Sequence, residues 1–89
     1  MDGSYLVELA KSVRTRADFV KFVGQFVLYS TSHPEEWSNS TLTDFLSGLR
    51  GFADEMDGYY RNTEEGLNPD LPSWRLFADM LLAARIYEG

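Results

Sequence analysis

The clearest pattern in the chain is an apolar stripe at helical spacing between Thr41 and Asn62. Its members recur at i, i+3, i+4 and i+7, which is the spacing of a helix that buries one face. They are Leu42, Phe45, Leu46, Leu49, Phe52, Ala53 and Met56. Thr41 is followed three residues later by Asp44, an arrangement typical of a helix N-terminus. The stripe therefore predicts the third main helix of the fold and supplies the best candidate for a core.

Three glycines bear on the shape of this predicted helix. Gly48 and Gly51 are three residues apart on roughly one face, and each costs about 1 kcal/mol relative to alanine inside a helix. We expect them to mark a close crossing with another helix. Gly58 is placed to end the helix in a left-handed cap, although Tyr59 and Tyr60 can extend it by a further turn.

Helices are also predicted before this stripe. The first begins near Ser4, where four apolar residues share one face: Leu6, Leu9, Ala10 and Val13. Thr15 and Asp18 resemble a capping box, so a second helix begins there and runs to about Tyr29. Its apolar face consists of Phe19, Phe22, Val23, Phe26 and Val27. Pro34 is well placed as the first residue of a short helical turn, and residues 38–40 are predicted to form a polar turn.

The last helix is predicted to begin after a long loop, Arg61 to Pro72, with Ser73 as its cap and Trp74 as its first residue. It is apolar most of the way round, which is typical of a helix buried on most sides. We expect it to be the central helix of a monomer, and a homodimer through this C-terminal helix is the alternative. The sequence thus predicts one all-α domain, residues 1–89, with three main helices and one or two short ones.

Charge and composition exclude several classes of partner. The net charge is −6, and it is unevenly placed: four basic residues face three acidic ones through His33, whereas four arginines face eleven acidic residues from Pro34 onward. An acidic domain repels phosphate backbones, so nucleic acid is not an expected partner. The chain has no cysteine, no basic leader followed by a long apolar run, and no apolar stretch of membrane-spanning length. We therefore expect a cytoplasmic protein without a membrane partner.

Catalytic and metal chemistry finds little support in the residues. His33 is the only histidine and lies in a Ser/Thr/Pro turn, where a structural role is expected. A calcium loop with Gly58 at position 6 puts Ala53 at position 1 and Arg61 at position 9, which removes the first ligand and adds a cation. Asp54 and Asp57 share a helical face, but a hydrolytic carboxylate pair needs a cleft that so small a domain can hardly build. We predict no enzyme activity, no metal and no cofactor.

Aromatic residues near acidic ones remain the best candidates for a binding surface. We predict that binding involves Trp37, Asp54, Asp57, Tyr59, Tyr60, Arg61 and Trp74. Tyr59 and Tyr60 are adjacent on a helix, so at least one of them should be exposed. The leading hypothesis is a non-enzymatic domain that binds another protein, of the immunity or antitoxin kind. The alternative is a regulatory domain that holds a small molecule in an aromatic and acidic pocket.

Several strings in the chain are distinctive in themselves. They are Pro34-Glu35-Glu36-Trp37-Ser38-Asn39, Thr41-Leu42 with Asp44-Phe45-Leu46, Met56-Asp57-Gly58-Tyr59-Tyr60-Arg61-Asn62, and Leu82-Ala83-Ala84-Arg85-Ile86-Tyr87-Glu88 after Trp74 and Ala78-Asp79. Together they resemble a family of small uncharacterised bacterial proteins over roughly residues 16–88. The resemblance implies a helical, single-domain bacterial protein of unassigned activity. It carries no catalytic residues over to this chain.

Overall fold

The computed structural model describes residues 4–63 and 67–88. It contains four α-helices: α1 (Ser4–Lys11), α2 (Arg16–Ser32), α3 (Leu42–Thr63) and α4 (Trp74–Ala84). A short 3₁₀ helix, Pro34–Glu36, follows α2. Within the described ranges there is no β-strand. The all-α prediction is therefore confirmed, and the short turn begins at the predicted Pro34.

The predicted capping box begins α2. The Thr15 hydroxyl accepts a hydrogen bond from the Asp18 amide, and the Asp18 carboxylate accepts from the Thr15 amide, each at 3.2 Å. Asp18 also accepts from the backbone N–H of Arg14 at 3.0 Å, and this bond is the main reason why the pKa of Asp18 is lowered. Past the predicted end at Tyr29, the hydroxyls of residues 30–32 donate to carbonyls of the preceding turn, and the helix continues to Ser32.

The third helix is longer than a Gly58 cap would allow. It runs to Thr63, and Gly58 lies inside it. Met56 and Tyr60, on either side of Gly58, are both buried, and with Phe52 of the same helix and Leu76 of α4 they form one of the two core clusters. Because this packing stabilises the helix beyond Gly58, the first residues of the predicted loop are helical instead. Residues 64–66 of that loop lie outside the described residues, and α4 begins at Trp74 with Ser73 as its cap, as predicted.

The last helix lies at the centre of the fold. It packs against α1, α2 and α3. Ala78 and Leu82 of α4 belong to the core cluster built with α1 and α2, whereas Leu76 belongs to the cluster built with α3. Leu82 is buried within this one chain, which explains without a second copy why α4 is apolar on several sides.

The predicted burial of the α3 stripe is also partly wrong. The first half of the α3 stripe is not core: Leu42 and Leu46 are 74% and 50% exposed, and Phe45 and Leu49 are only half-buried. Of the predicted stripe only Phe52 and Met56 are buried, and Ala53 between them is exposed. Ala84, the last residue of α4, lies opposite Gly48. The residues of α3 before Gly48 therefore extend past the end of the central helix, and this explains their exposure.

The close crossing predicted from the glycines is found at Gly48. A Cβ atom there would lie 2.6 Å from the Ala84 carbonyl oxygen and 2.7 Å from Nδ2 of Asn39. Asn39 was predicted only as part of a polar turn, but its Nδ2 donates to the carbonyls of Ala84 (2.8 Å) and Tyr87 (2.9 Å), and its backbone N–H donates to that of Arg85 (2.9 Å). Asn39 therefore joins the end of α4 and the chain after it to the turn before α3.

Candidate functional site

A groove lies between α1 and α3. Both helices pack against α4 but not against each other, so α4 is exposed to the groove between them. The cavity has a volume of about 300 Å³. Val7 and Lys11 of α1 form one wall, and Phe52 and Tyr59 of α3 form the opposite wall. The floor consists of Arg75, Asp79, Leu82 and Ala83 of α4, and the chain after α4 adds Arg85, Ile86 and Tyr87.

Apolar and aromatic groups make up most of this surface. Leu82 of the floor and Phe52 of the α3 wall are buried, whereas Tyr59 and Ile86 are 47% and 51% exposed at the mouth of the groove. The ring of Phe52 makes edge contacts with Tyr59 at 5.5 Å and Tyr87 at 5.6 Å between ring centroids. Such contacts fix the orientation of the rings. The α3 wall is therefore held in place without a ligand.

A polar network lies at the end of the groove where α4 begins. The hydroxyl of Tyr60, which is 2% exposed, donates to Oδ2 of Asp79 at 2.5 Å, and Nε of Arg75 lies 3.5 Å from the same oxygen. Burial, and secondly the bond to the Asp79 carboxylate, raise the pKa of Tyr60 far above its usual value. The neutral Tyr60 hydroxyl and the Arg75 guanidinium thus offset the Asp79 charge from two sides.

The other end of the groove is closed by the chain after α4. The Tyr87 hydroxyl donates to Glu55 of α3 at 2.6 Å, and this bond is the main reason why the pKa of Tyr87 is raised. The carbonyl of Tyr87 is held by Asn39. Tyr87 thus joins α3 at its side chain and the turn before α3 at its backbone.

Cations outnumber anions around the groove. Lys11, Arg75 and Arg85 line it together with one carboxylate, Asp79. The guanidinium of Arg85 lies 5.5 Å from the ring centroid of Trp37 and 3.9 Å from a carboxylate oxygen of Glu36. The chain as a whole carries −6, whereas the residues that line the groove include three cations and one carboxylate.

The predicted binding residues do not form one site. Only Tyr59 lines the groove, and Tyr60 lies buried beneath its polar end, so the prediction that one of the pair is exposed is confirmed. Trp37 is half-buried against Phe26 at 5.0 Å, on the far side of Arg85. Trp74 packs on Phe19 at 5.4 Å and contributes to the contact between α2 and α4. Trp37 therefore serves mainly in packing, whereas Trp74 makes a packing contact and is also 36% exposed.

The predicted acidic residues lie on a separate surface. Asp54 and Asp57 line a shallow depression of about 240 Å³ that also contains Asp70 from the loop before α4. Arg61 lies 3.4 Å from Asp57 in an exposed i, i+4 ion pair. The acidic residues therefore lie apart from the aromatic groove.

Sequence reasoning missed most of the groove. Val7, Lys11, Arg75, Asp79, Ile86 and Tyr87 line it and were not predicted as site residues. One signal was present: Arg75 and Asp79 are an i, i+4 pair on a helix that is otherwise almost wholly apolar. The α1 wall had no such signal, because its position beside α4 follows only from the tertiary fold.

The described residues contain no group of three or more His, Asp or Glu side chains arranged to hold a metal ion. A search of the same residues finds no helix with the length and apolar character needed to cross a membrane.

The fold and the groove define a small all-α protein with a concave apolar surface on its central helix. The family of unknown function DUF7660 matches residues 15–88, and the chain belongs to this family. The resemblance to an uncharacterised family is thereby confirmed. The matched range begins after α1, so the α3 and α4 surfaces of the groove lie within it and the α1 wall precedes it. No curated protein and no solved structure matches the chain.

Proposed function

We propose that this protein binds a small apolar molecule in the groove between α1 and α3 and carries out no reaction on it. The supporting observation is the groove itself, a concave apolar surface with a few convergent polar groups. Such surfaces are the usual form of small-molecule sites, and a volume of 300 Å³ is at the small end of their range. A monocyclic or bicyclic ligand fits this size.

The chemistry of the lining supports binding rather than catalysis. Nucleophilic catalysis needs an activated serine, cysteine or similar group beside a base. The residues that the structure describes around the groove include no serine, threonine, cysteine or histidine. Asp79, the only carboxylate among them, is engaged by Tyr60 and Arg75. These groups serve to orient a ligand and to exclude water.

Binding of a neutral bicyclic alcohol tests this proposal. We expect 2-naphthylmethanol to bind wild type saturably in calorimetry, with Kd on the order of 100 µM for a ligand of this size. Ala83→Phe, which fills the floor of the groove, should abolish binding, whereas Ala17→Phe on the exposed start of α2 is the matched control. Absence of binding to wild type, or equal binding to Ala83→Phe, would contradict the proposal, provided that both variants unfold cooperatively.

A protein partner is the second candidate. The observation that favours it is the convergence of Asp54, Asp57 and Asp70 around one depression, which suits a basic partner. Asp54→Asn with Asp57→Asn should slow association with such a partner in a salt-dependent way, and Asp44→Asn at the start of α3 is the control. If the double variant unfolds instead, these acidic residues are structural.

For either candidate function we propose a cytoplasmic location.

A further inference from the structure

We infer that the molecule held in the groove carries a carboxylate on its apolar body and that Lys11 binds this carboxylate. The inference rests on the proposed small-molecule function and specifies the class of ligand. It depends on the charges around the groove and on how far each charge is already compensated.

The carboxylates that pair with Arg85 and Lys11 stand outside the lining of the groove. Glu36 pairs with Arg85 from the side of Trp37, and Glu8 lies 3.8 Å from Lys11 one turn earlier on α1. Four charged residues line the groove: Arg75 pairs with Asp79 within the lining, the Arg85 guanidinium is turned to Glu36 and Trp37, and Lys11 is the most exposed of the three cations. A ligand in the groove therefore meets positive charge at closer range than negative charge, in a chain that is acidic overall.

Asp79 does not favour a cationic ligand. Its Oδ2 already accepts the 2.5 Å hydrogen bond from Tyr60 and lies 3.5 Å from Arg75. The side chains of Arg75 and Asp79 are only 15% and 14% exposed, so this pair is fixed in the floor. A second cation placed beside Asp79 would be repelled by Arg75 at short distance.

Lys11 is the cation that can turn toward a ligand. Its side chain and that of Glu8 are 48% and 73% exposed. An exposed pair of this kind contributes at most about 1 kcal/mol, so little is lost when Lys11 exchanges Glu8 for a ligand carboxylate. Val7, one turn earlier on the same face of α1, continues this wall as an apolar surface. A carboxylate at Lys11 with an apolar body along Val7 and Leu82 matches this distribution.

Three probes with the same bicyclic body and different charge test the inference: 2-naphthoate, neutral 2-naphthylmethanol and cationic 2-naphthylmethylamine. We expect wild type to bind the naphthoate about three- to fivefold more tightly than the alcohol, and the amine most weakly, at low salt. Lys11→Met should bring the Kd values of the naphthoate and the alcohol together, because the variant removes the positive charge from this wall; the ratio of the two Kd values is the readout. Lys21→Met, an exposed lysine on α2, is the matched control. Lys11→Gln repeats the test without adding apolar surface.

The outcomes separate the two proposals. If the alcohol binds as tightly as the naphthoate, or the amine binds best, the groove is a binding site but the carboxylate inference is overturned. If the naphthoate preference survives both Lys11 variants, the role of Lys11 is overturned. If none of the three probes binds, the proposed function itself fails. A preference that is lost at Lys11 and retained at Lys21, and that weakens as salt is added, supports the inference.

Discussion

Two polar side chains, Asn39 and Tyr60, join the elements that surround the groove. Asn39 holds the carbonyls of Ala84 and Tyr87, and Tyr60 joins α3 to Asp79 of α4. A buried hydrogen bond of this kind contributes modestly when made, but an unsatisfied partner costs about 1–3 kcal/mol. These two residues therefore determine where the walls lie, although neither lines the groove.

The crossing at Gly48 gives a prediction with an internal control. Gly48→Ala would bring a Cβ atom to 2.6 Å from a backbone carbonyl, so we expect a loss of about 1–3 kcal/mol in the free energy of unfolding. Gly58→Ala lies in the same helix with no atom within 4 Å of the new Cβ, so we expect a gain of about 0.5–1 kcal/mol. Urea denaturation of both variants measures the difference. Equal effects would show that α3 and α4 do not cross closely at Gly48.

Tyr60 gives a prediction in alkaline solution. Tyr60→Phe should cost about 1.5–3 kcal/mol at pH 7, because Asp79 loses a hydrogen-bond donor. Since the pKa of Tyr60 is raised in the folded state, its contribution is complete below the unfolded pKa of about 10 and is lost as the pH rises above it. Wild type should therefore lose up to about 1.4 kcal/mol per pH unit more than Tyr60→Phe between about pH 10 and 11. Parallel pH profiles of the two proteins in urea denaturation would contradict the assignment.

At the scale of elements, α3 consists of an exposed first half and a packed second half. The change occurs at Gly48, where α4 ends at Ala84. The predicted cost of truncating an apolar residue therefore depends on its place along the helix and not on its membership in the stripe. The exposed first half also leaves Leu42 and Leu46 facing solvent.

A matched pair of alanine substitutions tests this division. Met56→Ala should destabilise the protein by about 2–5 kcal/mol, because Met56 is 6% exposed within the α3–α4 cluster. Leu46→Ala, at a residue that is 50% exposed, should cost less than about 1 kcal/mol. The midpoints of denaturant unfolding measure both. A large loss at Leu46 would show that the first half of α3 is covered in solution.

The sequence predicts the helices and their N-terminal caps well, but it predicts poorly how the helices pack against one another. The Thr15–Asp18 box and the Ser73 cap are local, because each depends on residues within one turn, and both helices begin as predicted. The exposure of Leu42 could not be predicted, since it depends on where α4 ends in space. The groove could not be predicted either, because α1 and α3 are brought to opposite sides of it only by α4. Of the seven predicted site residues, Tyr59 alone lines it.

At the scale of the whole molecule, α4 organises the fold and α2 presents an apolar outer surface. The core of the described residues is divided between a cluster with α1 and α2 and a cluster with α3, and both include residues of α4. On the side of α2 away from this core, Val20, Val27 and Leu28 are all exposed. Exposed apolar residues on one helix face form a surface through which two copies of the chain can associate, as an alternative to association through α4.

The oligomeric state tests whether the helices of one chain are enough to bury α4. We expect a monomer in sedimentation at micromolar concentration, because Ala78 and Leu82 of α4 are already buried by the chain's own helices. A dimer that Val27→Glu dissociates would show that the outer face of α2 is an interface. A dimer that Ile86→Glu dissociates would place the interface at the mouth of the groove and would compete with a ligand there.

The central claim is that the groove between α1 and α3 is the binding site, and an NMR titration of wild type with 2-naphthoate tests it most directly. We predict saturable amide shifts at Lys11, Ala83, Ile86 and Tyr87, with none at Val20, Val27 or Leu28 on the outer face of α2. Shifts confined to α2, or to Asp54 and Asp57 beside Asp70, would place binding elsewhere and contradict the claim. No saturable shift at any residue would contradict it equally.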